Sequence, residues 1–246
     1  MKHRAVRWLY PYGSTRRVLR GPARGQRFVV EPGIGFSYAM GREDAAPRYF
    51  APWVRAGMTV YDIGSNKGQM ALLFASLVGD TGRVLAFEPA PKEFASLSRN
   101  LEINGLTFVR PRQAAVAESA GTLTFEYAPD HPTQGKLASV EASYRVSGTE
   151  SITVETLSLD DLRDHEPLPD LIKIDVEGAA ASALRGASGV LEDASPRIFI
   201  ELHGPEEQAG VRDELLSRGY VAETLSGERV PDPTDGWHSP LWCFKP

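Results

Sequence analysis

The chain has 246 residues, 42% of them hydrophobic and 24% charged, enough to build a substantial core in one large α/β domain or two small ones. Its net charge of −5 argues against nucleic acid as the main partner, because phosphate-binding surfaces carry a basic excess. One cysteine, Cys243, excludes an intrachain disulfide and a cysteine zinc cluster, and no apolar run reaches the roughly 18 residues a membrane span needs. The basic N-terminus is not followed by an apolar signal-type stretch. A soluble, cytoplasmic protein without a membrane partner is expected.

Lys2, Arg4, Arg7, Arg16, Arg17, Arg20, Arg24 and Arg27 crowd the N-terminus and read as a solvated basic face. Residues 1–57 read as an N-terminal cap. Val18–Gly33 reads as a short strand pair with Gly and Pro turns, and a short helix ends at Gly57. Trp53 is expected in the core, whereas Tyr38, in a glycine-bounded loop, is placed to face a ligand.

From Met58 the pattern alternates, and residues 58–246 read as one domain. Strand Thr59–Ile63 is followed by a helix over Lys67–Val78. Strand Arg83–Glu88 is followed by a helix over Pro91–Asn104, with Pro91 suited to a first helical position. Strand Thr107–Arg110 comes next. Strands alternating with helices of this length predict parallel βαβ units. Residues 113–157 break the alternation: Gln113–Val116 is a short edge segment, and strands near 121–128 and 151–159 flank a polar insertion over about 128–151. That insertion reads either as a substrate-facing flap or as a disordered surface loop. The alternation resumes with a short helix near Asp160, strand Asp170–Asp175, helical turns to Asp193, strand Arg197–Leu202, a helix over Glu206–Arg218 and two final strands.

The chain is organised around Asp62–Gly68, a loop of the form D-x-G-x-N-x-G between strand and helix. Glycine lets a backbone turn tightly and approach a ligand. A strand, a glycine loop and a helix place that ligand at the carboxyl edge of an α/β sheet. The spacing does not match the G-x-G-x-x-G of dinucleotide enzymes, which disfavours a nicotinamide dehydrogenase. Asp62 leading the loop suits a ligand with a cationic amino group, of which S-adenosylmethionine (SAM) is one. A purely structural turn is the alternative.

Glu88 ends the second strand, where a carboxylate can accept from two ribose hydroxyls, and Pro89 stiffens the turn behind it. Asp175 and Glu177 close one later strand, and Glu201 and His203 close the next. If these strands are neighbours, the four groups face one crevice. A neutral imidazole at His203 can take a proton from a hydroxyl, with a carboxylate orienting it. The same set also suits a divalent metal or a structural ion-pair cluster. His3, His131, His165 and His238 read as surface histidines, His131 being the one inside the insertion.

Four segments in order, Val60–Gly68, Val84–Pro91, Asp170–Ala179 and Ile198–Gly204, resemble the FkbM-type SAM-dependent methyltransferases. The similarity runs from about Arg20 to Tyr220. It implies a class I Rossmann-like α/β fold, with a mostly parallel seven-stranded sheet whose last strand is antiparallel. It implies O-methylation of a sugar, polyketide or related small-molecule or glycan acceptor, with SAM as cofactor and S-adenosylhomocysteine as product. Residue by residue, Asp62, Gly64, Ser65, Asn66 and Gly68 would surround the methionine part. Glu88 and Pro89 would lie at the ribose, Gln113, Ala114 and Ala115 at the adenine, and Asp175 at the methionine end. Glu177, Glu201 and His203 would lie by the acceptor as the catalytic candidates. No metal ligand is assigned, though a divalent metal stays open. One departure matters: Ala180 stands where the family commonly has a glutamate, which favours the alternative of a SAM-binding protein without transfer activity. An N- or nucleic-acid-directed methyltransferase ranks below O-methylation.

Overall fold

The structure, a computed structural model, describes residues 8–41, 46–127, 136–137, 150–231, 237 and 240–246. Strands β1 (Thr15–Arg17) and β2 (Arg27–Val29) pair antiparallel. The short helices α1 (Phe36–Ala39) and α2 (Ala46–Phe50) follow. Strand β3 (Thr59–Ile63) is buried at every position, as expected of a strand covered on both faces. It leads into α3 (Gln69–Val78). This helix starts two residues later than the sequence suggests, because Gly68 takes a left-handed φ of 89° and ends the loop before helical geometry begins. Strand β4 (Arg83–Phe87), helix α4 (Pro91–Glu102) and strand β5 (Val109–Arg112) complete the first half.

The interruption after β5 forms a second sheet. Strands β6 (Ala115–Val116), β7 (Gly121–Tyr127), β8 (Lys136–Leu137) and β9 (Glu150–Leu157) order as β6-β9-β7-β8. The expected edge segment at Gln113–Val116 therefore contributes Ala115 and Val116 to this sheet, alongside Thr156 and Leu157. His131 and most of the 128–151 insertion lie outside the described residues, as do His3 and His238. After a 3₁₀ turn at Asp160–Leu162, the main sheet resumes with β10 (Leu171–Ile174), helices α5 (Ala180–Arg185) and α6 (Ser188–Asp193), and β11 (Arg197–Ile200). Helix α7 (Pro205–Leu216) and strands β12 (Val221–Thr224) and β13 (Leu241–Phe244) end the chain.

The main sheet has seven strands in the order β12-β13-β11-β10-β3-β4-β5. The pairs from β11 across to β5 are parallel, and β13 runs antiparallel to both its neighbours. The chain leaves β3 toward β4 and later returns to β10 on β3's other side. The switch point, where α/β sheets bind ligands beyond the carboxyl ends of their strands, therefore lies between β3 and β10.

One face of this sheet, with Tyr61, Ile63, Leu85, Phe87, Ile172 and Ile174, packs against α5, α6 and α7. The other, with Val60, Val84, Ala86 and Leu171, packs against α3, α4 and the N-terminal segment, which contributes Phe28, Ile34 and Phe50. Each fully buried aromatic or aliphatic side chain of this kind contributes about 1.5–3 kcal/mol. Two expectations are corrected here. Trp53 is 41% exposed, and its ring carries the Arg197 guanidinium at 3.6 Å, because a cation stacked on the ring satisfies it at the surface. Tyr38 is buried edge-on to Phe28 at 5.0 Å, with its hydroxyl donating to the Gln69 carbonyl at 3.3 Å.

Candidate active site at the carboxyl edge of the sheet

The glycine loop is held by backbone geometry. Gly64 has φ of 78°, and a Cβ there would stand 2.0 Å from the Asp175 carbonyl oxygen, so only glycine lets β3 and the β10 loop approach this closely. The N–H groups of Gly64 and Ser65 both donate to the Phe87 carbonyl, at 3.0 and 2.9 Å. Ser65 Oγ donates to the Asp62 carbonyl at 2.8 Å. Asn66 adopts φ of 49°, a left-handed conformation asparagine tolerates better than most side chains. Its N–H donates to Glu88 Oε2 at 2.8 Å, while the Ala90 N–H donates to Oε1 at 2.9 Å. Glu88 is thus tied to the loop ahead of it and the turn behind it. Burial raises its carboxyl to about 7, against the pull of those two N–H groups.

Asp62 is fully buried, and among the described residues no donor meets hydrogen-bond geometry at either carboxylate oxygen. Burial raises its pKa, opposed by the nearby charge of Lys173. Lys173 is the site residue that the sequence reading missed. It is paired in register with Asp62. Its ammonium lies 3.4 Å from Asp62 Oδ1 and 3.3 Å from Asp175 Oδ2, and it donates to the Gly64 carbonyl at 2.8 Å. Burial works against the charge, but Asp175, Asp62 and Glu201 outweigh it and the lysine pKa is raised. A signal was present: Lys173 is the one charged residue of the apolar strand β10, where a lysine must find carboxylates or lose its proton.

Strands β10 and β11 are neighbours, so the condition for a shared crevice is met. Asp175 Oδ1 lies 3.2 Å from His203 Nε2. Burial would raise the Asp175 carboxyl, but Lys173 and His203 together hold it well below the usual range. The hydrogen bond to Asp175 raises the His203 pKa, burial opposes it, and the charges of Glu207 and Glu177 add to the rise. Glu177 and Glu201 are half-buried. They bear on the pair through charge, Glu177 on His203 and Glu201 on Lys173. Among the described residues, no group of three or more His, Cys, Asp or Glu side chains is arranged to hold a metal ion.

Gln113, Ala114 and Ala115 follow the end of β5, and β5 is paired with β4 up to Phe87 and Arg112. They therefore stand beside Glu88, Gln113 exposed and both alanines buried, with Pro89 half-buried next to them. The second sheet reaches the same edge: Phe125 and Val154 pack with Ala90, Ala115 and Ala179. His165 follows the 3₁₀ turn and is exposed, as a surface histidine would be.

The geometry suits a nucleoside linked to an amino acid. Asp62 Oδ1 is ion-paired with Lys173 at 3.4 Å, and among the described residues neither of its oxygens accepts a hydrogen bond, which leaves acceptor capacity for an ammonium group. Glu88 has used two of its roughly four acceptor sites. The left-handed backbone at Gly64, Asn66 and Gly68 turns the loop sharply between β3 and α3.

The proteins similar to this chain are named as methyltransferases. The family model described as methyltransferase FkbM domain matches residues 62–222, more than half the chain. The hexuronic acid methyltransferase AglP of Haloferax volcanii is 29% identical over 169 residues, covering 68% of this chain, which spans 64% of that protein's length. The 31-O-demethyl-FK506 methyltransferase FkbM of Streptomyces tacrolimicus is 30% identical over 208 residues, covering 72% of this chain and 77% of that one. The crystal structure of methyltransferase FkbM from Methylobacillus flagellatus KT shares the fold, with a TM-score of 0.51 at 17% identity over 80% of this chain and 50% of that one. With its glycine loop, its Glu88 turn and its Asp175–His203 pair all inside the matched residues, the chain belongs to the FkbM methyltransferase family.

Proposed function

We propose that this protein is a SAM-dependent O-methyltransferase acting on a hydroxyl group of a small molecule, of the sugar or polyketide class. The observation that carries it is the Asp175–His203 contact at 3.2 Å, on strands adjoining the glycine loop. The acceptor class is supported by relatives named for a hexuronic acid and for a 31-O-demethyl compound.

When bound, the cofactor supplies a sulfonium methyl group that is already strongly electrophilic, so the protein's task is positioning and proton removal. Asp62 and the Gly64–Gly68 loop would hold the methionine portion, Glu88 the ribose hydroxyls, and Gln113–Ala115 the edge of the adenine. Lys173 balances Asp62 and Asp175, so neither carboxylate stands uncompensated beside the positive sulfonium. With Nε2–H donating to Asp175, His203 presents Nδ1 as the acceptor for the hydroxyl proton as the acceptor oxygen attacks. Asp175 then stabilises the imidazolium, and Glu177 and Glu201 keep the crevice negative toward that charge.

The test is incubation with isotopically methyl-labelled SAM and a panel of hexuronic acids, neutral sugars and hydroxylated polyketides, read by mass spectrometry. A labelled methyl ether on one acceptor class is expected. Label appearing only on amines or nucleic acid would overturn the O-methyl reading.

A further inference from the structure

Glu207 looks, in sequence, like an ordinary acid in the first turn of a helix. In the structure it is 8% exposed, and both carboxylate oxygens are used. Oε2 accepts from the His203 N–H at 2.7 Å, and Oε1 accepts from the Ala180 N–H at 3.1 Å. The first donor belongs to the loop after β11 and the second to the start of α5, just beyond the loop after β10. These two loops carry His203 and Asp175. A glutamate that merely caps its own helix needs only nearby donors, whereas this one reaches across to a second element.

We infer that Glu207 is a positioning residue: by binding the loop after β11 and the start of α5, which ends the loop after β10, it fixes the separation at which His203 meets Asp175. The inference rests on the acid–base role proposed for His203. The side chain suits the task, since a buried carboxylate persists only when donors satisfy it, and hydrogen bonds to a charged acceptor are about twice as strong as neutral ones. The charged groups around the imidazole are Asp175 and Glu177 from the β10 loop and Glu207 from α7, with Lys173 behind Asp175 and Glu201 beyond it. Removing Glu207 leaves the His203 and Ala180 N–H groups without their acceptor and frees the loop that presents the ring. Glutamine at this position keeps an acceptor for one N–H and loses the charge.

The test is the histidine titration followed by NMR in the full chain, with His203 assigned by the resonance missing in His203→Asn. In wild type, His203 should titrate above its ordinary value of about 6.5. Glu207→Ala should lower it, and Glu207→Gln should lower it by less. If the alanine variant does not fold, the glutamine variant decides. A His203 resonance that titrates identically in wild type and in folded Glu207→Gln would overturn the inference, as would a wild-type value at or below about 6.5. SAM calorimetry on wild type reads the cofactor assignment separately, so failure there and failure here are distinct results.

Discussion

The two halves of the crevice are built differently. On the β3–β4 side, the groups are fixed by backbone. Gly64 sits where no Cβ fits, Asn66 and Ala90 hold Glu88 through their N–H groups, and Asp62 is fully buried. On the β10–β11 side, the central contact joins two side chains, Asp175 and His203, that are 37% and 32% exposed. The first half is preorganised by the fold. The second is held by ion pairs and by Glu207, and stays open to solvent. Under the proposed function, the first construction would hold the cofactor and the second would receive the acceptor.

The sharpest way to break this contrast is Gly64→Ala. The new Cβ would overlap the Asp175 carbonyl at 2.0 Å, at a φ of 78°. Strain of about 1–3 kcal/mol from the backbone alone, plus that overlap, should lower the melting temperature and abolish SAM binding by calorimetry. Asp62→Ala comes next. It strips Lys173 of one of its two close carboxylates, and breaking a buried pair costs about 3–5 kcal/mol. Denaturant unfolding should show that loss, and SAM binding should fall with it. On the other half, His203→Ala should leave SAM affinity intact and lower turnover by about 10²–10⁴. Near-wild-type turnover would reject the base assignment.

Two pH effects sharpen the comparison further. Because Asp175 raises the His203 pKa, turnover should rise with pH through a value above about 6.5, and Asp175→Asn should move that limb down. The smallest effect is at Glu88. Its carboxyl is raised from 4.5 to about 7, so the stability it gives the unliganded protein is full below about 4.5 and is lost as pH rises through about 7. Ribose hydroxyls donate to the ionised form, so SAM affinity should run the opposite way, weakening by about tenfold per pH unit below that value. Glu88→Gln should flatten this dependence.

The first half was also the more legible in sequence. Apolar runs bounded by Gly and Pro marked β3, β4 and the start of α4, and a seven-stranded sheet with its last strand reversed followed from the family resemblance. Glycines and a strand-end acid announce a loop of this kind through local spacing. The side-chain network of the second half depends on register, which local patterns do not carry. Lys173 meets Asp62 only because β10 lies beside β3 in that register. Glu207 meets Ala180 only because α7 packs on α5. The four-stranded sheet was equally hidden, since β6 pairs with β9 across the intervening insertion. Trp53 was misplaced because an aromatic residue gives no sequence sign that a cation such as Arg197 will cover it.

The most direct test of the central claim is calorimetric titration of the wild-type chain and of Asp62→Ala with SAM and with S-adenosylhomocysteine, with and without Mg²⁺. Saturable single-site binding to wild type, lost in a folded Asp62→Ala variant, is the predicted result. Absence of binding to wild type by either compound, under either condition, would contradict a SAM site at the carboxyl edge of this sheet.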